Sequence, residues 1–294
     1  MNRAVPQAMP RHQQPDQQLS VGDHSRASAG MRYVYPVISR RAGGVSLGIN
    51  LNPNNACNWR CVYCQVPELK RGAAPPTDLA LLESELREML RDLLQGEFMA
   101  RRVPEDARRF EDIAFSGNGE PTSSPEFLGA VALVVRLMDE FELRNKIALR
   151  LITNGSQIDK PLVQQGLALL SQAGGEVWFK LDAGSREGIL RTNGVDLDPA
   201  GIVRRLREAG RRCMTWVQTC CFACDGFAPN DEEINSWLGL LEQARENLAG
   251  VHLYSLARPS LQIEAPRLAR LPREWLEMLA GRVRQTGLKV RISP

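Results

Sequence analysis

Ser46-Leu47-Gly48-Ile49-Asn50-Leu51-Asn52 alternates large apolar residues with small or polar ones. Successive side chains of a strand point to opposite faces, so Leu47, Ile49 and Leu51 share one face and Gly48, Asn50 and Asn52 the other. The same alternation returns in Glu176-Val177-Trp178-Phe179-Lys180-Leu181-Asp182, where Val177, Phe179 and Leu181 oppose Trp178, Lys180 and Asp182. Further along, His252, Tyr254, Leu256 and Arg258 fall on one side of the segment that begins at Val251. One face suits burial under helices, and the other is polar. A doubly wound sheet, covered on both faces, calls for central strands that are apolar throughout. A barrel with a polar, ligand-holding lumen fits this pattern better.

Around these strands, short apolar runs alternate with amphipathic ones. Strands are expected at 46–52, 112–116, 147–153, 176–181, 213–220 and 251–256. Helices are expected over 78–94, after Pro125, from 159–161 onward, and over 199–209, 231–248 and 273–285. In the first, Leu82, Leu86, Met89, Leu90 and Leu93 recur at helical spacing. Asp159 is placed to cap the helix that starts near Pro161, a residue suited to a first turn. Strands alternating with crossover helices imply a parallel sheet, so the fold class is α/β, a partial (β/α)6 barrel with parallel strands. Residues 31–294 form this core domain with a short C-terminal extension, in which 288–292 adds an edge strand. Residues 1–30 are rich in Gln, Pro, Ser and Ala without an apolar period, and are expected to be a disordered tail.

A chain of 294 residues is long enough to bury a substantial core. Its formal charge of +3 forces no nucleic-acid partner, although Arg101, Arg102, Arg108 and Arg109 form a local basic run. No run approaches the roughly 18–20 apolar residues that span a bilayer, and the first residues lack the apolar stretch of a signal peptide. A cytoplasmic protein without a membrane partner is expected. The seven cysteines then argue for metal or redox chemistry rather than disulfides, because they fall in two tight clusters.

The first cluster reads Ala56-Cys57-Asn58-Trp59-Arg60-Cys61-Val62-Tyr63-Cys64, on a loop after the first strand, where parallel folds place their sites. Three thiolates on one short loop can hold three irons of a cubane and leave the fourth open. A structural zinc would need a fourth Cys or His nearby, and none is present; His12 and His24 lie in the expected tail. Further segments at strand ends could bind a ligand: Ser116-Gly117-Asn118-Gly119-Glu120-Pro121-Thr122, Thr153-Asn154-Gly155, Lys180-Leu181-Asp182, Gln218-Thr219 and Tyr254 to Arg258. Glycines allow a sharp turn and close ligand approach, and Glu120 can meet an ammonium group. Lys180 and Asp182 share the polar face, as an ion pair or with the lysine engaging a substrate. Trp216 and Tyr254 are expected to pack the barrel, and His252 to be a satisfied core residue. Cys220, Cys221 and Cys224 could hold an auxiliary cluster. Cys213 lies roughly 23 Å away at about 3.3 Å per strand residue and cannot join them.

The three-cysteine spacing with Tyr63 before the third cysteine resembles the radical SAM signature, and the strand-end segments extend that resemblance from about Ser46 to Ser260. The combination is most similar to the wyosine-type tRNA-modifying branch and its relatives. The resemblance implies a 4Fe–4S cluster on Cys57, Cys61 and Cys64, with S-adenosylmethionine (SAM) on its open iron. It implies that Gly117, Asn118, Gly119 and Glu120 hold SAM; Tyr63, Asn154, Lys180, Asp182, Gln218 and Arg258 are the further candidates for binding it, and Lys180 is also the catalytic candidate. The resemblance implies reductive cleavage of SAM to a 5′-deoxyadenosyl radical, and a reductant such as flavodoxin or ferredoxin. The substrate implied is a tRNA base. Modification of a peptide or protein, or a non-catalytic iron–sulfur or SAM-binding module, are the alternatives. The wyosine-forming enzymes carry extra cysteines upstream of the triad, whereas no cysteine precedes Cys57 here.

Overall fold

The structure, a computed structural model, describes residues 18–20, 22, 26 and 28–293. Strands β1 (Val34–Ser39) and β2 (Gly44–Ile49) form an antiparallel hairpin. The short β3 (Ala56–Cys57) and β4 (Lys70–Arg71) pair across the base of the cysteine loop. Helices α1 (Leu79–Leu94) and α2 (Phe98–Arg102) lead to β5 (Phe110–Phe115), followed by α3 (Phe127–Glu140) and β6 (Ala148–Thr153). Then come α4 (Pro161–Gln172), β7 (Glu176–Lys180), α5 (Arg186–Asn193), α6 (Pro199–Arg212) and β8 (Met214–Cys224). The chain ends with α7 (Asp231–Ala244), β9 (Gly250–Ser255), β10 (Leu268–Arg270), α8 (Arg273–Gln285) and β11 (Val290–Ser293).

The main sheet has the order β1-β2-β5-β6-β7-β8-β9-β11, and every neighbour pair from β2 onward is parallel. Ser46, Asp112, Arg150, Trp178, Gln218 and Tyr254, one from each of β2 and β5 to β9, line a single cavity. The sheet is therefore curled into a partial barrel. The opposite face carries Leu47, Ile113, Leu151, Phe179, Val217 and Leu253, all buried in the main core. Side-chain alternation thus sends apolar residues outward under the helices and polar ones into the lumen.

Local signals set the helix boundaries. Asp78 caps α1 by accepting from the Leu81 N–H at 3.0 Å, and Leu82, Leu86, Leu90 and Leu93 bury one stripe. Asn230 and Glu233 form a reciprocal capping box at α7. The helix expected over 231–248 ends at Ala244 and tightens into a 3-10 turn, Arg245–Asn247. Asp159 does not cap α4. Lys160 occupies that position without a side-chain bond, while Asp159 pairs with Arg204 at 3.2 Å and Arg205 at 3.7 Å. The arginines of α6 draw the carboxylate away from the helix end. β8 continues past the expected end at Cys220, because β10 pairs with Phe222 to Cys224.

Within the stretch expected to be a tail, Leu19 is buried and its N–H donates to the Arg102 carbonyl at 2.7 Å. The Ser28 hydroxyl donates to the Pro36 carbonyl at 3.1 Å. Residues 1–17 lie outside the described residues. Among those described, no helix is long and apolar enough to cross a membrane.

The lumen floor is charged. Arg150 pairs with Asp112 and, at 2.7 Å, with Glu176, while Ser46 also donates to Asp112. The Trp178 indole donates to Glu176 at 2.9 Å. These side chains are largely buried, so removing one charge strands its partners in a poorly solvated site. Arg150→Met should lower unfolding free energy by about 3–5 kcal/mol in urea titration. Lys146→Met, which removes an exposed pair with Glu142, should leave the midpoint in place.

His252 is buried beside this floor, its Nε2 2.9 Å from the Ser293 hydroxyl and its ring 5.3 Å from Trp178. Burial, then Arg41, Arg291 and Arg150, push its pKa from 6.5 down to about 3. The folded state therefore holds His252 neutral while the unfolded chain takes up a proton below 6.5, so stability falls as pH drops from 6.5 toward 3. Denaturation midpoints across that window should flatten in His252→Gln.

Candidate active site

The strand β2 delivers Asn50 and Asn52 to the base of the cysteine loop. Asn50 Oδ1 accepts from the N–H groups of Asn52 and Asn118, each at 3.1 Å. Asn52 Nδ2 donates to the Ala56 carbonyl at 3.0 Å. The glycine segment after β5 packs directly against these groups. A Cβ on Gly119 would lie 2.1 Å from the Ala56 carbonyl oxygen, and one on Gly117 would lie 2.4 Å from Asn50 Oδ1. Gly117 also has φ 139°, a conformation that side chains resist.

The far side of the loop rests on the end of α5, a helix that the alternating pattern does not reveal. Arg60 and Val62 donate their N–H groups to the carbonyls of Asn193, at 3.0 Å, and Thr192, at 2.9 Å. Asn193 Nδ2 reaches Cys61 Sγ at 3.3 Å and Asp182 at 2.9 Å. The Asp182 carboxylate also takes the Tyr63 hydroxyl and, at 2.9 Å, the Cys220 N–H. Gly194 closes α5 at φ 64°, where a Cβ would lie 2.6 Å from the Arg60 carbonyl. The Ser260 hydroxyl donates to the Val62 carbonyl at 2.7 Å, adding support from the segment after β9.

Cys57, Cys61 and Cys64 are free, half-buried, and line the same cavity of about 270 Å³. Burial dominates their titration, pushing Cys57 up to about 12, Cys61 to about 11, and Cys64 also upward. Among the described residues no three His, Cys, Asp or Glu side chains are gathered to hold a single metal ion. Three free thiols lining one cavity are an all-sulfur donor set of the kind an iron–sulfur cluster takes. The donor chemistry fits the group.

Glu120 lines the cavity but is only 2 % exposed, and its oxygens accept from Thr122, Thr153 and the Asn154 N–H. Burial raises its pKa against those hydrogen bonds. Its carboxylate therefore ties the ends of β5 and β6 together. Asn154 donates from Nδ2 to Asn58 of the cysteine loop at 2.9 Å. Lys180 and Asp182 form no direct salt bridge among the described residues. Lys180 Nζ lies 4.9 Å above the Tyr63 ring and donates to the Tyr254 hydroxyl at 2.8 Å, while the Tyr63 hydroxyl donates to Asp182. Burial works against the Lys180 ammonium, but Asp182 and its other neighbours raise its pKa above the ordinary lysine value. Arg258 sits beyond the end of β9 at the cavity mouth, its Nε donating to Gln65 at 3.0 Å.

The second cysteine group does not converge. Cys220 faces the lumen, Cys221 the core, and Cys224 is half-exposed beside Asp225. All three lie in one continuous strand, whose alternation sends Cys221 to the opposite face.

A family model described as the radical SAM superfamily matches residues 51–234, more than half of the 294. The chain belongs to the radical SAM superfamily. It is an enzyme, and its cofactors are a 4Fe–4S cluster and SAM. Among solved structures, it is similar to TYW1 with a lysine–pyruvate adduct bound, at 17% identity and TM-score 0.55 over 83% of this chain and 74% of that one. It is also similar to a radical SAM methyltransferase from Sphaerobacter thermophilus, at 16% identity and TM-score 0.56 over 88% and 68%. A third match is anSMEcpe with bound AdoMet, at 18% identity and TM-score 0.51 over 84% and 63%. At these identities the likeness shows the fold alone. A curated relative, described as GTPase Obg from Brachyspira hyodysenteriae, is 26% identical over 152 residues, 52% of this chain. The chain spans 19% of that relative's length. No lysine here follows a glycine, so these residues contain no Gly-Lys phosphate-loop motif.

Asn193 and Gly194 are among the site residues that sequence reasoning missed, with Asn55 and Arg41; for the first two an Asn-Gly pair ending a short helix was the available signal. Gly194→Ala should force the Arg60 carbonyl away and displace the loop. Iron bound per chain after anaerobic reconstitution should fall by at least about half, with far-UV circular dichroism unchanged.

Proposed function

We propose that Cys57, Cys61 and Cys64 ligate the 4Fe–4S cluster, that SAM lies along the adjoining strand ends, and that the enzyme abstracts hydrogen from a substrate in the lumen. The observation that carries this reading is a single cavity shared by three free thiols, the glycine segment and the polar faces of six strands. When bound, the cluster supplies the electron that splits SAM into methionine and a 5′-deoxyadenosyl radical. A low-potential donor such as flavodoxin or ferredoxin would deliver that electron.

The chain's own groups bind, orient and exclude water. Asn118 Oδ1 is buried and has no hydrogen-bond partner among the described residues. Asn55 sets its orientation: Asn55 Nδ2 donates to the Pro67 carbonyl, leaving Oδ1 to receive Asn118 Nδ2 at 2.7 Å. The remaining Asn118 oxygen is an acceptor suited to the SAM ammonium. Gly117 and Gly119 leave bare backbone beside it, and Glu120 and Asn154 hold the two strand ends in register. Asp182 and Tyr63 brace the third cysteine's side of the loop, and Arg258 stands at the mouth for an anionic group of SAM.

Lys180 is the one lysine on the cavity wall. TYW1 carries a lysine–pyruvate adduct, and forming such an adduct needs a neutral amine. Lys180 Nζ is held by the Tyr254 hydroxyl and over the Tyr63 ring, and Asp182 favours its charged form against burial, an environment that supports a positive charge rather than a nucleophile.

A tRNA base is the substrate that the likeness to wyosine-type enzymes supports. Reconstituted protein given dithionite and SAM without oxygen should form 5′-deoxyadenosine, and replacing Cys57, Cys61 and Cys64 with Ala should abolish it. Total tRNA should increase the yield. A loaded protein that forms none removes the radical reading, and a yield indifferent to tRNA removes that substrate alone. Lys180→Met should lower the rate by about 10-fold or more, with no adduct trapped by borohydride in the parent.

A further inference from the structure

The lumen holds more hydrogen-bond donors than the protein satisfies. Asp112 and Glu120 are the carboxylates on its wall among the described residues. Asp112 already accepts from Ser46 and Arg150, and Glu120 from Thr122, Thr153 and Asn154. Gln218, by contrast, is 1% exposed, lines the cavity, and its Nε2 has no partner among the described residues. A buried donor left unmade is costly, and the cost is recovered when a ligand supplies an acceptor.

Arg41 comes from the turn between β1 and β2 and reaches across the same space. Its guanidinium carbon lies 5.5 Å from the Trp178 ring centre and 5.0 Å from that of Tyr254. Those faces are its contacts, and no carboxylate pairs with it among the described residues. β8 runs between β7 and β9, with Gln218 level with Lys180 on one side and His252 on the other. Arg41 therefore bridges the strands that flank Gln218. Lys180 Nζ, bonded to the Tyr254 hydroxyl at 2.8 Å, completes a group of three donors from three separate elements. Arg40 stands close enough to feel Arg41, and Asp182 is the acidic group that acts on Lys180. Burial, Arg270 and Arg41 all lower the Arg40 pKa, and Arg41 contributes to the depression of His252.

We propose that Arg41, Gln218 Nε2 and Lys180 bind an anionic oxygen group, carboxylate or phosphate, of the substrate, and so determine which molecules the radical meets. This rests on the radical SAM reading of the cavity and extends it below the cofactor's strand-end groups. The guanidinium fork suits two oxygens of such a group, and the amide and ammonium suit a third or share one. Resting on aromatic faces, Arg41 is held in place without an acidic partner that the ligand would have to displace. Gln218 then belongs to substrate recognition rather than to the cofactor.

Holoenzyme loaded with SAM is titrated with inorganic phosphate and with acetate at constant ionic strength, and with neutral acetamide as control. The thermal midpoint should rise saturably with one anion and not with acetamide, and the better anion tells whether a nucleotide phosphate or an organic acid is the source. Arg41→Met and the isosteric Gln218→Glu should each weaken the apparent affinity at least about 10-fold, with Arg41→Lys between. No saturable response in the parent, or an equal response in the variants, overturns the proposal. A fall in SAM affinity parallel to that for the anion in Arg41→Met also overturns it, because Arg41 would then serve the cofactor. Iron content and circular dichroism confirm that each variant is folded, and Arg41→Lys stands in if Arg41→Met is not. Anion binding by a protein that cleaves no SAM would count against the radical reading alone.

Discussion

The Asp182 carboxylate joins three pieces of chain that share no sequence proximity. It accepts the Tyr63 hydroxyl from the cysteine loop, the Asn193 amide from α5 and the Cys220 N–H from β8. A carboxylate can accept several hydrogen bonds at once, and those to an ionised group are the stronger kind. Through Asn193 the same carboxylate acts on Cys61 Sγ, and through Tyr63 it shapes the surface on which Lys180 rests. The cysteine loop carries little regular structure of its own, so its shape depends on this borrowed anchor.

The opposite end of the loop is held by close approach rather than by charge. Gly119 presses on the Ala56 carbonyl and Gly117 on Asn50, so that the segment after β5 and the base of the loop move as one body. Glu120 extends the joint to β6 through Thr153 and Asn154. Its burial is tolerated because hydrogen-bond donors meet both oxygens. The glycine segment thus braces the thiols while leaving Asn118 Oδ1 open to a ligand. Below this frame, the Asp112–Arg150–Glu176 floor closes the lumen with charges that satisfy one another, so Gln218 Nε2, without a partner among the described residues, and Arg41, resting on aromatic rings, stand out.

Much of this was legible beforehand. Leu47 and Ile49 against Gly48, and Val177 and Phe179 against Trp178 and Lys180, display a period of two that survives any tertiary adjustment. The curl and the polar lumen follow from it. Cys57, Cys61 and Cys64 were legible because their spacing is short and local. Less visible were elements that depend on pairing: β1, recruited by β2; the final residues of β8, held extended by β10; and α5, squeezed between β7 and α6. Cys220, Cys221 and Cys224 looked like a ligand group only while their strand was thought to end at Cys220. Pairing of Cys221 with Ser255 of β9, and of Phe222 to Cys224 with β10, keeps the strand extended and turns Cys221 to the core.

The sequence by itself determined the parallel α/β framework, the inward and outward faces of its strands, and the identity of the three thiols, since each is a matter of local spacing. Tertiary structure alone decided what holds those thiols and what faces them. Asn193 is distant in sequence from Cys61, Arg41 from Trp178 and Tyr254, and Asp182 from Tyr63. No local pattern encodes such contacts, because they arise only when the sheet curls and brings separate strand ends to one rim. The same curl sets Lys180 on the Tyr254 hydroxyl and Asp182 on the Tyr63 hydroxyl, so that neither forms the direct ion pair that was one of the two readings parity allowed.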